Sequence, residues 1–528
     1  MTPRAVALAG TALAAIALAP AISLAQGAPA AAPASAQLVV LSADTRLADA
    51  AERQDGAAVA KLLRTKGVDV NAPGADGTTA LHWAVLHGDA ALATLLIRNR
   101  GDVNRPNGVG LSPLVLATQL GSTEMMGLLI DAGADVNGAD HAGETPLMTA
   151  VRQPGSAPAK LLLDHGAKVD ATDATFGQTA LMIAAREGNA AAVELLIARG
   201  ADVNAGIKVR PGARPRMQNE GGGSHGEGII RMGVPIQGAK PPQPGGMTAL
   251  IYAARDGRLA VVKQLLDAGA RIDQADVNGQ TPLLMAAMSG QLETAKLLIA
   301  RGANVSAQDW YGRSPVWAAI DYRNLVINEP NKDNGVDRPP VLELIRLLLE
   351  RGADPNARVK EYPPDRRYIL TLGNLAWVDI TGQTPFFRAS VAGDVDAMKL
   401  LLQYKADPKI ATFNGTTPLA GAAGVNWVPN EHWTHGPAKL LEAVKLCVDL
   451  GIDVNAANDM GLTAIHGAAN RGSDDIIAYL ASKGAKLDAK DKVGRTPLVW
   501  AGGVFLATNA AEPKPSTQQL IQTLLAKQ

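Results

Sequence analysis

Apolar and polar positions along most of this 528-residue chain alternate between two kinds of block. A short run of small and aliphatic residues, such as Ala180-Leu181-Met182-Ile183-Ala184-Ala185, is followed by a Gly. A longer block with an apolar stripe comes next, such as Val193–Ile197. Spacings of three and four place side chains on one helical face, so each block predicts a helix and the intervening Gly a tight turn. The first block opens on Thr or Ser, whose side-chain oxygen accepts the free N–H groups of a helix's first turn. Pro then occupies the first helical position at Pro113, Pro146, Pro282, Pro315, Pro385, Pro418 and Pro497, where its missing N–H costs nothing. The second block closes on a Gly that can adopt the left-handed conformation, as in Gly200-Ala201-Asp202-Val203-Asn204.

The pattern is periodic. A Gly with Thr or Ser two positions on and Ala seven positions on recurs at Gly77, Gly110, Gly143, Gly177, Gly246, Gly279, Gly312, Gly382, Gly415, Gly461 and Gly494. The spacing is 33 residues wherever it is uninterrupted apart from one step of 34. Thr79-Ala80-Leu81-His82-Trp83-Ala84, Thr281-Pro282-Leu283 and Thr463-Ala464-Ile465-His466-Gly467-Ala468 resemble the signature of ankyrin repeats. The resemblance covers roughly residues 45–528, with a degenerate first unit from Leu47 to Asn71. It implies an all-α repeat solenoid of about twelve stacked helix-turn-helix units with short β-hairpin fingers, in a curved, elongated array. His82 and His466 would then bond the capping Thr and not a ligand. Arg100 and Lys405 replace the closing Gly in two units, which predicts locally strained backbone there.

Long spacings locate insertions near 207–245, 324–340, 358–377, 424–436 and 502–515. Some extend the fingers and others the helix–helix turns, so they fall on both rims. Residues 1–25 read as a secretory signal peptide: Arg4, an apolar run Val6–Ala19, Pro20, and a small-x-small site that predicts cleavage after Ala25. Residues 26–44 read as a flexible Ala/Pro-rich linker. The expected product is a periplasmic or secreted bacterial protein, a monomer with no membrane span after cleavage.

Lys+Arg and Asp+Glu both number 50. A net charge of zero argues against nucleic acid as partner. The single cysteine, Cys447, excludes intramolecular disulfides and multi-cysteine metal centres. Gly222-Gly223-Ser224-His225-Gly226 matches the spacing of a nucleophile elbow, but its flanks are loop-like and lack the strand and helix that strain such a serine. Glu431, His432 and His435 could seed a metal site but lack a third clear ligand. The expectation is no catalysis, no cofactor and no bound metal.

In proteins of the family, partners are commonly contacted through the finger tips and the inner end of the first helix. Carried onto this sequence, that register selects Trp310, Tyr311, Arg313, Asp321, Tyr322, Tyr252, Arg255, Asp256, Arg186, Glu187, Ile380 and Phe413. Aromatic residues make up only 4% of the total, and Trp, Tyr and Arg dominate binding hot spots. The Trp310-Tyr311 tip is therefore the leading candidate, while Trp317, Phe386 and Phe387 fall at core positions. The expected function is a non-catalytic protein-interaction scaffold in the cell envelope. The alternatives are an accessory factor for one exported enzyme, or an enzyme assembled by the insertions.

Overall fold

The computed structural model describes residues 44–208, 245–324, 339–361, 380–427, 434–504 and 512–527. These contain 24 helices in pairs, each a short inner helix and a following outer helix. Residues 44–528 form one compact unit.

The sequence signals act locally as their chemistry dictates. Thr179 caps the inner helix Ala180–Glu187 by accepting the Met182 N–H at 3.3 Å, and Ser112, Thr281 and Thr384 do the same for theirs. Asp89 and Asn189 cap outer helices in the same way. At Gly188 the backbone turns with φ of 79°, a conformation glycine adopts without steric cost. Arg100 and Lys405 carry φ of 67° and 66°, so the expected strain is present at both.

Inner helices pack on inner helices of the next unit, and outer on outer. The Ala seven residues after each motif Gly is wholly buried in every unit, from Ala84 to Ala501. A methyl group is what the inner-helix contact accommodates; a larger side chain at Ala286 would overpack it at a cost of about 1–3 kcal/mol. One continuous apolar core runs from Leu47 to Ile521, and Trp317, Phe386 and Phe387 lie inside the protein as their register implies.

An asparagine ladder joins the unit ends. Asn104 Nδ2 donates to Gly133 O at 3.0 Å while its Oδ1 accepts the Asp135 N–H at 2.7 Å. Asn71, Asn137, Asn204, Asn356 and Asn455 repeat this reciprocal pair with the following unit. Where Asp170 and Asp273 stand instead, the accepting bond is kept, since a carboxylate has no donor.

The fingers differ from the expected β-hairpins. They are closed by short backbone bonds, such as Asp140 N–H to Glu144 O, and by a side-chain oxygen that accepts within the turn, from Asp140 in one finger and Asn107 or Asn458 in others. Among the described residues there are isolated bridges, Thr172–Thr179 and Gly206–Thr248, and no strand. The arms are too short to ladder. Successive fingers are instead tied edge to edge by single bonds: Ala174 N–H to Ala142 O, Trp310 N–H to Asn278 O, Phe413 N–H to Thr381 O. The motif glycines allow this approach: a Cβ on Gly246 would lie 2.8 Å from Val277 N.

Most of the insertions near 207–245, 324–340 and 358–377, about half of those near 424–436 and 502–515, and residues 1–43, which hold the expected signal and nearly all of the expected linker, lie outside the described residues. Three of the insertions precede longer outer helices, Pro339–Glu350, Pro437–Asp449 and Pro515–Leu525, against eight or nine residues in the regular outer helices.

Candidate interaction surface

The finger turn before Gly312 divides the leading candidate pair. Trp310 is 43% exposed, whereas Tyr311 is 4% exposed. The Tyr311 carbonyl accepts the Lys360 N–H at 2.6 Å, which seats the residue against the next finger. Phe413 projects from its own finger at 55% exposure with the Arg358 guanidinium stacked 4.3 Å from its ring centre. Arg358 is held there by bonds to Gly382 O and Ala411 O.

Several other selected residues are buried and unavailable for surface contact. Arg313 lies inside its finger, paired with Asp309 at 2.7 Å. Ile380 joins the apolar core. Tyr252 turns inward because its hydroxyl accepts from Gln178 Nε2 at 2.8 Å, in the preceding unit. Asp321 is buried because Arg388 of the next unit binds it at 2.8 Å. Tyr322 is half-buried, its ring against Gly290. Arg255 and Asp256 pair at 2.7 Å, and Arg186 and Glu187 at 3.1 Å; these four stay at least partly open to solvent.

The same register exposes residues that the search for aromatic and arginine side chains passes over. Val109 and Phe176 are finger-tip residues, 70% and 63% exposed. Val493 occupies the same place in a later finger, and Leu86 and Leu120 stand exposed at inner-helix ends. Applying the register to every unit, with aliphatic residues admitted, would have found them.

Asp321 belongs to a buried polar lock joining three units. Arg323 Nε bonds Asp394 Oδ2 at 2.7 Å, and Asn324 Nδ2 reaches the same oxygen at 3.1 Å. Arg388 Nη2 donates to Asn324 O at 3.0 Å, and the His435 ring meets Asn324 Oδ1 at 3.0 Å. Asp394 also caps the outer helix Val395–Gln403. Desolvation alone would raise its pKa; the His435 imidazole and the Arg323 guanidinium outweigh that and hold it at about 2. The charges are matched, so the chemistry is that of a fastener.

Of the candidate reactive groups, only His435 lies among the described residues. Ser224, Glu431 and His432 lie outside the described residues, and His435 serves the lock. Among the described residues no three metal-capable side chains cluster. Cys447 is buried and desolvation pushes its thiol pKa up. His82 and His466 bond Thr79 and Thr463 at 2.8 and 3.0 Å and reach the carbonyls of Leu111 and Ala489. Desolvation lowers both of their pKa values, so each is a neutral strut.

A family profile described as ankyrin repeats (3 copies) matches residues 47–140, 137–206, 229–328 and 437–503. Human ankyrin repeat domain-containing protein 63 is 29% identical over 184 residues, 35% of this chain and 41% of that protein. The mouse B-cell lymphoma 3 protein homolog is 32% identical over 120 residues, 22% of this chain and 25% of its own. Human neurogenic locus notch homolog protein 1 is 31% identical over 144 residues, 23% of this chain and 6% of its own. The match thus spans less than half the length of each of these relatives. A solved ankyrin repeat domain of Bcl-3 aligns at 22% identity with a TM-score of 0.37, covering 51% of this chain and 99% of that one.

Proposed function

Since the chain belongs to the ankyrin-repeat family, we propose that it is a non-catalytic scaffold that holds a protein partner along its finger tips and inner-helix ends. One observation carries this reading: Val109, Phe176, Trp310 and Phe413 stand exposed at finger tips, and the inner helices of the Gly177 and Gly246 units end in partly open charge pairs, Arg186–Glu187 and Arg255–Asp256. Exposed apolar groups recurring from finger tip to finger tip mark a binding face, and aromatic residues with a stacked arginine, as at Phe413–Arg358, are the chemistry of hot spots.

The array would comprise about twelve repeats and act as a monomer. The export-type N-terminus directs the search for the partner to the bacterial periplasm or the exterior, with a single exported client enzyme as one form such a partner could take. The test is capture of the partner from the native envelope fraction by the tagged protein and by a Trp310→Ser, Phe413→Ser variant. The reading expects capture to fall while the melting temperature stays unchanged. Undiminished capture would contradict it.

A further inference from the structure

Arg471 ends the inner helix Ala464–Arg471, and its guanidinium is only partly satisfied. Nη1 donates to Ala422 O at 3.0 Å, in the preceding unit. Nε and Nη2 are buried and have no hydrogen-bond partner among the described residues. These two form one edge of the guanidinium, a pair of parallel donors whose spacing matches the two oxygens of a carboxylate. Arg471 lines a cleft of about 390 Å³ between the Gly415 and Gly461 units, with this buried edge in its wall. Trp427, Pro437, Leu440 and Ile476 also line it, and the Trp427 ring lies 4.9 Å from the Arg471 guanidinium carbon.

The cleft holds a second source of positive potential. The outer helix Asp474–Ser482 starts in its wall, and Ser473 at the cap makes no side-chain bond to the first turn, unlike Asp89, Asn189 or Asp394. Two acidic residues of that turn line the cleft as well. Asp474 accepts from the Thr517 hydroxyl and Asp475 is exposed; neither is paired with Arg471. Their charges disfavour a multiply charged anion such as phosphate and leave room for one negative charge. Burial without a counter-charge pulls the Arg471 pKa down to about 9, the energetic counterpart of an unfilled partner position.

We propose that this cleft anchors one carboxylate of a polypeptide partner, clasped by the Nε–Nη2 edge of Arg471 while its hydrocarbon stem rests on Trp427 and Leu440. The carboxylate is a Glu or Asp side group or the free C-terminus of the polypeptide. The proposal rests on the protein-binding reading and adds a position and a chemistry to it.

The test uses three fluorescein-labelled random decapeptide pools titrated against the full-length protein by polarisation. One has free C-termini and no acidic residue. One is amidated with a central Glu, and one is amidated with Gln there. A charge-assisted pair predicts that a carboxylate pool binds about tenfold or more tighter than the neutral pool, and the pool that wins identifies the source. Arg471→Gln abolishes the preference. Ser473→Asp, which places a carboxylate at the helix cap inside the cleft, also abolishes it without lowering the melting temperature, so the outcome does not depend on one variant folding. Equal binding of all pools, no binding by either carboxylate pool, or a preference that survives both substitutions overturns the proposal. Envelope-partner capture by Arg471→Gln separates the two readings: lost preference with retained finger-tip capture is expected if the tips bind independently, and lost tip-dependent capture in the Trp310→Ser, Phe413→Ser variant reports on the scaffold alone.

Discussion

The units from Gly77 to Gly177 and those from Gly312 to Gly382 place the ends of their inner helices in opposite surroundings. In the first region the inner-helix ends are open: Leu86, Leu120 and Glu187 are exposed, and ion pairs such as Arg199–Asp164 sit on the surface. In the second, the inner helices and the turns after them are closed by charge: Asp321, at the register of Leu86, and Arg323, Arg388 and Asp394 are buried and bonded across units. Repeat register therefore fixes where a side chain sits along the array, while its neighbours decide whether it meets solvent. A partner can use the first region's helix ends; the second offers its finger tips, Trp310 and Phe413.

The largest effect should come from breaking the lock. Asp394→Ala removes the carboxylate that pairs with the buried Arg323, and breaking a buried pair costs about 3–5 kcal/mol. Asp164→Ala, which removes an exposed pair, should leave the denaturation midpoint unchanged. Chemical unfolding of both variants checks this, and equal effects would erase the distinction between the regions.

The same carboxylate predicts an acid limit. Its folded pKa of about 2 lies below the ordinary aspartate value of about 3.9. A depressed folded pKa contributes stability that is complete above the unfolded value and is lost as pH falls through the folded one. Stability of the lock should thus decline from about pH 4 toward pH 2. The Asp394→Asn variant should show a flatter decline across that window, read from melting temperatures.

The fold was legible because its determinants are local and repeated: the capping Thr or Ser, the buried Ala and the turning Gly lie within one 33-residue period. The surface was only partly legible because burial is set from a distance. Asp321 meets Arg388 67 residues away, and Tyr252 meets Gln178 74 residues away. Nothing in the local sequence of Tyr311 separates it from Trp310; the next finger, carrying Lys360, does. Arg471 was invisible for the same reason, since its cleft is built by Trp427 and Leu440 of the preceding unit.

Smaller effects sharpen the picture in the regular region. Asn104→Asp removes the donor to Gly133 O and keeps the acceptor for Asp135, which should cost about 1 kcal/mol. Arg100→Gly relieves a positive-φ residue and should stabilise by about 1 kcal/mol. Both are measured by denaturant unfolding.

The most direct measurement is hydroxyl-radical footprinting of the full-length protein with and without the partner captured from the envelope fraction. The account predicts protection of Phe176, Trp310 and Phe413, with Leu86 and Leu120 protected alongside and no change at buried Tyr311, Tyr252 and Phe386. Protection confined to the outer helices, with all three finger-tip aromatics as reactive as in the free protein, would contradict it.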